Sequence, residues 1–308
     1  MADTPMIMLR FALYADLALV FGVPLFGLYA LRAPERRRLV APLWPWAAGA
    51  ALLGALLSAL GVAMLAASMA GVSLAEVDRA SIDAILWQTS IGSAAILRIC
   101  ALIAAALLAP LIGRFPKLGL SAVAFGGGVA LSLLAWTGHG AMDEGTAGWI
   151  HLAADIVHLL AAGAWIGAIL GLALLLVGPR VRFDDAHLLL SHHALEGFAM
   201  TGTIVVTLLV LTGIVNSWIL VGPDRVLALP ASLYGQLLIA KLVVFSAMLG
   251  LAAANRFCLT PRLAGQLGGA RHGTAVGALR RSLLIEVTLG FVILAIVAWL
   301  GMVEPPAS

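Results

Sequence analysis

The sequence predicts an all-α, polytopic membrane protein with eight transmembrane helices and both termini outside. Three observations predict it. Of the 308 residues, 62% are hydrophobic and only 11% are charged, whereas a soluble domain carries about 25% charged residues. The apolar residues fall in runs of about 20 or more, the length a helix needs to cross a bilayer. The runs are broken by charge, proline or glycine, as at Arg32-Ala-Pro-Glu-Arg-Arg-Arg38, Gly113-Arg-Phe-Pro-Lys117, Gly178-Pro-Arg-Val-Arg182 and Gly222-Pro-Asp-Arg225. This composition excludes an ordinary soluble enzyme, a disordered tail and a nucleic-acid-binding module. The net charge of +3 records topology, because excess Lys and Arg in a membrane protein collects in its cytoplasmic loops.

In order, the spans are expected near residues 7–31, 43–72, 86–112, 118–137, 150–177, 197–221, 236–258 and 282–303. They divide into an N-terminal four-helix half, 1–137, and a C-terminal four-helix half, 138–308, within one integrated membrane domain. The connections near 178–196 and 259–281 have weak helical character. The loops after spans one, three, five and seven hold thirteen Lys and Arg, the opposite loops hold Arg79 and Arg225, and Arg10, Arg98 and Lys241 lie within spans. That asymmetry puts the thirteen in the cytoplasm. Trp87, Trp136, Trp149, Trp218 and Trp299 mark the outer interface, Trp44 and Trp46 the inner one, and Trp165 is deep. Cys100 and Cys258 lie in different spans, outside any CxxC, and read as buried small hydrophobes. The first run follows Met1-Ala-Asp-Thr-Pro5 without a basic segment, so it reads as a span rather than a cleaved signal.

An ionisable side chain near the bilayer centre costs about 2.5–3.5 kcal/mol on insertion scales, so it needs a reason. Asp16, Arg98, Asp155, His158, Asn216, Lys241 and Glu286 are polar or ionisable residues within spans, and His151 stands at the outer lip. The fifth span is the richest. In Trp149-Ile-His-Leu-Ala-Ala-Asp-Ile-Val-His158, His151, Asp155 and His158 stand at i, i+4 and i+7. At about 100° and 1.5 Å per residue they form one stripe descending about 10 Å from the outer surface. Imidazoles suit copper, and a carboxylate can orient an imidazole from behind. His139, at the outer end of span four, is joined to His151 by a short loop bearing Met142, Asp143 and Glu144, and methionine is a soft ligand suited to Cu(I). The residues thus marked as candidate metal contacts are His139, His151, Asp155, His158 and Met142. The competing reading of the stripe is structural histidines bonded to neighbouring helices.

Lys241 and Arg98 are too deep to stand alone, which makes Asp16 and Asp155 their expected partners. Asn216 lies at similar depth, and Glu286 is expected near Asn255 and Arg256 on the inner side. These read either as structural pairs or as polar gates that open as cargo passes. His187, His192, His193 and His272, on the inner side, leave open whether they meet metal.

The ordered set of motifs resembles the CopD/PcoD family of bacterial copper-resistance inner-membrane proteins. It comprises Thr89, Gly92 and Arg98 in span three, Thr137-Gly-His139, HLAADIVHLLAAGAWIG at 151–167, Thr201-Gly202 and Thr212-Gly-Ile-Val-Asn216. LYGQLLIAKLVVFSAMLGLAAANR at 233–256 and Arg281-Ser-Leu-Leu-Ile-Glu286 complete it. The resemblance covers most of the chain, is strongest from residue 136 onward, and does not extend to His192 and His193. It implies copper, as Cu(I) or Cu(II), carried across the inner membrane, with uptake from the periplasm as the expected direction. It also implies a separate periplasmic chaperone of the CopC type. Copper would enter near His139 and His151, pass His158, and leave past Asn255, Arg256 and Glu286. No nucleotide-binding loop is present to drive the movement. The alternatives are a membrane redox protein with b-type haem, disfavoured because span five alone offers deep histidine, and a copper sensor or assembly factor without flux.

The charge asymmetry generates a first prediction. A reporter fused at residue 115 should give a cytoplasmic signal and one at residue 145 a periplasmic signal. The reverse pattern would place the histidine stripe on the wrong side of the membrane.

Overall fold

A computed structural model describes residues 4–137, 145–177, 185–261 and 272–306. Among these residues eight helices are long and apolar enough to cross a membrane. We label them α1 (Thr4–Ala30), α2 (Trp44–Ala70), α3 (Ser90–Leu108), α4 (Pro116–Ser132), α5 (Gly145–Val177), α6 (Asp185–Val221), α7 (Leu233–Ala254) and α8 (His272–Leu300). With an even number of crossings both chain ends lie on one face, the terminal face. The opposite face is the basic face, where α1 ends and α2 begins.

The apolar runs give helices of the expected order, with three local differences. The third run is divided, because Gln88 ends a short helix, Arg79–Gln88, and Thr89 starts a new one. Thr89 donates its hydroxyl to the Ile85 carbonyl at 2.7 Å and accepts from the Gly92 N–H at 3.0 Å, so it closes one helix and caps the next. The weakly helical connections are continuations of α6 and α8 beyond the apolar core, starting at Asp185 and His272. Cys100 and Cys258 are exposed, not buried. α3 turns Arg98 and Leu102 inward, and at about 100° per residue Cys100 falls on the opposite face. The tryptophans follow expectation. Trp165 is buried at 3% exposure, while Trp46, Trp87, Trp149 and Trp218 stand outward near helix ends. Between α2 and the helix at Arg79, Ser73 and Glu76 form a capping box. The Ser73 hydroxyl and N–H both donate to Glu76, which holds that carboxyl below its ordinary range.

α1 and α5 occupy the centre. α1 packs against α2, α4, α5 and α8, and α5 against α1, α4, α6 and α8. One apolar cluster joins α1–α4 through Leu17, Leu102, Leu120 and Leu134, and another joins α5–α8 with the basic end of α1 through Phe26, Trp165, Leu172 and Leu283. The two central helices cross at glycine. A Cβ on Gly22 would lie 2.1 Å from the Gly163 carbonyl oxygen, and one on Gly167 would lie 2.1 Å from the Gly22 carbonyl carbon. The periphery differs between the halves. Only 22% of the α6 crossing and 17% of the α7 crossing are buried, against 61% for α5, so α6 and α7 lie at the outside of the bundle.

The crossing yields a second prediction. Gly167→Val must push α1 from α5, and overpacking of this kind costs about 1–3 kcal/mol. Gly250→Ala, with nothing within 4 Å of the added carbon, should cost nothing. Thermal unfolding of the two variants in detergent would check the difference, and equal midpoints would show that the crossing yields freely.

Candidate metal-binding site

α5 carries the site because one face of it is polar over its first half. His151 is 2% exposed, and Asp155 and His158 follow it down the helix, half-buried. Asp155 interacts electrostatically with His151 and with Lys241 of α7, and Lys241 also acts on His158. Opposite His158 is Thr212 of α6, with His158 Nδ1 and Thr212 Oγ1 2.8 Å apart. The Thr212 hydroxyl donates to the Leu208 carbonyl at 2.6 Å. With the hydroxyl proton directed to that carbonyl, the arrangement favours Nδ1–H as the donor to Thr212. That assignment leaves the lone pair on Nε2, the form in which a neutral imidazole ligates a metal. Gly213 lies beside the ring, with its missing Cβ site 3.8 Å from His158 Cε1. Asn216, one turn beyond Thr212 toward the terminal face, has a buried Oδ1 without a hydrogen-bond partner.

The structure thus brings together His151, Asp155, His158, Asn216 and Lys241 in the half of the membrane next to the terminal face. His139 and Met142 lie outside the described residues, as do the side chains of His187, His192, His193 and His272. Among the described residues no three His, Cys, Asp or Glu side chains converge on a single metal position. Among the described residues the stripe is a succession of donors spaced along α5.

The remaining polar residues form two separate groups. In the first half, Arg98 donates from Nε to the Ser58 hydroxyl at 3.0 Å. It makes no ion pair with Asp16 among the described residues; Asp155 and Lys241 act on one another electrostatically but are not in ion-pair contact there either. Asp16 Oδ2 lies against Gly54 and has no partner. Toward the basic face, Asn255 donates from Nδ2 to Glu286 Oε1, the neighbours expected from the sequence. Arg256 turns away from them, donating to Thr203 of α6 at 2.6 Å and stacking 5.3 Å over Phe257. Thr212, Ser58 and Thr203 were not singled out as partners. A hydroxyl is common in membrane helices, and only the pairing of helices shows which one meets a charge.

Eight crossing helices with an internal stripe of imidazole and carboxylate define a multi-pass membrane protein with a polar interior. Residues 1–149 match the family model described as "Copper resistance protein D-like, N-terminal domain", and residues 192–300 match that of "Copper resistance protein D". The chain is 41% identical over 306 residues to "Copper resistance protein D" of Pseudomonas syringae pv. tomato, covering 99% of this chain and 98% of that one. It is 26% identical over 302 residues to "Inner membrane protein YebZ" of Escherichia coli (strain K12), covering 97% and 98%. No solved structure matches. The chain belongs to the copper resistance protein D family.

The electrostatic interaction of Asp155 with Lys241 generates a third prediction. Lys241→Ala leaves Asp155 without its cation, and breaking a buried pair from one side costs about 3–5 kcal/mol. Lys241→Ala should accumulate poorly, and Asp155→Ala in the same chain should restore part of the yield. Normal accumulation and stability of Lys241→Ala would show that the ammonium is solvated rather than paired.

Proposed function

We propose that the chain carries copper across the bacterial inner membrane, from the periplasm to the cytoplasm, and that the α5 stripe receives it. Membership of a copper-resistance family supports copper as the cargo, and the charge asymmetry supports a periplasmic terminal face. The observation that carries the reading is the bond from His158 Nδ1 to Thr212, whose own proton goes to Leu208. A structural histidine needs only a partner. This one is held by Thr212 through Nδ1, two turns along α5 from a second buried imidazole.

On this reading His139, Met142 and His151 form the entry, fed by a separate chaperone of the CopC type. His158 is the deep station. Asp155 orients and balances charge between them. Lys241 is a tethered cation that holds Asp155 while the site is empty and must yield when copper arrives, which makes its ammonium a gate. Successive donors with few ligands each are suited to passing an ion on, because conduction requires sites weak enough to leave.

The fourth prediction separates the stations by the form of their failure. His139→Ala or His151→Ala should lower copper uptake in a way that higher copper partly overcomes. His158→Ala should lose uptake that saturating copper does not restore. Thr212→Val keeps the imidazole but frees its orientation, and loss of such a supporting bond costs about 10–100-fold in metal affinity. Uptake into vesicles, with metal bound per chain, would check these outcomes. Normal binding and flux in the triple His139, His151 and His158 alanine variant would refute the proposal.

A further inference from the structure

The two halves of the chain repeat one plan. α1 and α5 carry Leu13-Tyr-Ala-Asp16 and Leu152-Ala-Ala-Asp155. Ahead of α3 and α7 stands a hydroxyl residue, followed by glycine three residues on and a cation nine residues on: Thr89, Gly92, Arg98 and Ser232, Gly235, Lys241. These caps agree in detail. Each hydroxyl accepts from the glycine N–H at 3.0 Å. A Cβ on Gly92 would lie 2.0 Å from the Ile85 carbonyl oxygen, and one on Gly235 would lie 1.9 Å from that of Leu229. α4 leads into Ala135-Trp-Thr-Gly138, and α8 ends with Ala298-Trp-Leu-Gly301. In each half the first helix packs on the second and fourth and the third packs on the fourth, and the contact of α1 with α8 is mirrored by that of α5 with α4; α2 also packs closely on α3, whereas α6 and α7 lack such packing among the described residues. A unit of four crossings repeated in tandem gives two parallel repeats.

The acid and base of the histidine site therefore have counterparts in the first repeat, Asp16 and Arg98. The imidazoles do not. At the offsets of His151 and His158 from Asp155, the first repeat carries Ala12 and Leu19 around Asp16. What remains is a single carboxyl group. Asp16 is 8% exposed and its Oδ2 has no partner. Its place is reserved by glycine, since a Cβ on Gly54 would lie 2.4 Å from Oδ2. The Ser58 hydroxyl donates to the Gly54 carbonyl at 2.7 Å and accepts from Arg98, so its proton and one lone pair are committed. One carboxylate oxygen cannot replace the roughly six oxygens that a hard cation requires. A soft metal lacks nitrogen or sulfur there, and the 3%-exposed Arg98 guanidinium stands on the neighbouring helix. A proton is the cation that one oxygen can bind.

We propose that Asp16 is a proton-binding site, the first repeat's counterpart of the histidine stripe, and that its loading is coupled to copper movement in the second repeat. The coupling rests on the transport reading; the proton site does not. The ionisable groups on α1 and the elements around it are Arg10, Tyr14 and Tyr29 on α1, Arg98 and Cys100 on α3, His151, Asp155 and His158 on α5, and His272, Arg280, Arg281 and Glu286 on α8. α2 carries none, α4 carries Lys117 at its basic end, and α6 carries none from residue 197 to 221.

The test uses the full-length protein in lipid vesicles and dicyclohexylcarbodiimide, which modifies a carboxyl that holds a proton in apolar surroundings. Mass spectrometry should find Asp16 modified, with the yield falling about tenfold per pH unit above its midpoint and unaffected by sodium or potassium. No modification at any pH where the protein stays folded would overturn the proton site, and protection by sodium or potassium would overturn it in favour of a metal cation. Asp16→Asn should bind copper with unaltered stoichiometry and lose the pH dependence of uptake. Should it fail to accumulate, Asp16→Glu should shift the pH midpoint of uptake instead. Unaltered pH dependence in either variant would overturn the coupling. Absence of copper uptake by the unsubstituted protein would defeat the transport reading, while the labelling result would still decide the proton site.

Discussion

Helices in a bilayer are not driven together by the hydrophobic effect, because acyl chains are as apolar as leucine; close packing has to hold them. In this chain the tightest such packing is the crossing of α1 and α5 at Gly22, Gly163 and Gly167, where the backbones meet with no side chain between them. Everything functional hangs on that contact. α5 presents its polar stripe to α6 and α7 because its opposite side is fixed to α1. α1 directs Asp16 toward α2 because its other faces are committed to α4, α5 and α8. A bulkier crossing would rotate or separate both helices and displace the polar interior of each half.

Much of this was legible in the sequence, for a reason specific to membranes. A crossing helix satisfies its own backbone, so run length alone locates the eight spans, and helical period alone aligns His151, Asp155 and His158. What was not legible depends on which helix meets which. Gly22 gives no sign that its partner is more than a hundred residues away. Arg98 was expected to seek a carboxylate, yet the residue across from it is Ser58. The cysteines were expected inside because thiols are usually buried, but the period that points Arg98 inward points Cys100 outward. Thr89 divides a run that hydropathy reads as continuous, because a cap is a matter of one hydroxyl and two backbone groups. His139 and Met142 lie outside the described residues.

The comparison of the halves gives the polar residues a common logic. Each repeat places an acid on its first helix and a base on its third. In the second repeat the two act on one another across the histidine stripe. In the first they are held apart, one against Gly54 and the other on Ser58. The same skeleton thus supports a crowded, charged interior in one half and a sparse, dry one in the other, and the difference lies in two side chains flanking the aspartate. Family membership and an eight-helix fold do not reveal this division of roles; the offsets of Ala12 and Leu19 from Asp16 do.

The shallow burial of α6 and α7 has a consequence for the histidine stripe. One wall of that site is α5, anchored in the protein interior, and the other is formed by helices whose neighbours are mostly acyl chains. Thr212, Asn216 and Lys241 are therefore positioned in part by the solvent of the membrane, while His151 and Asp155 are positioned by the protein. Exchanging lipid for detergent alters one wall of the site and spares the other. The geometry around His158 is in this sense shared property of the chain and its bilayer, and the thickness and fluidity of the host membrane act on it directly.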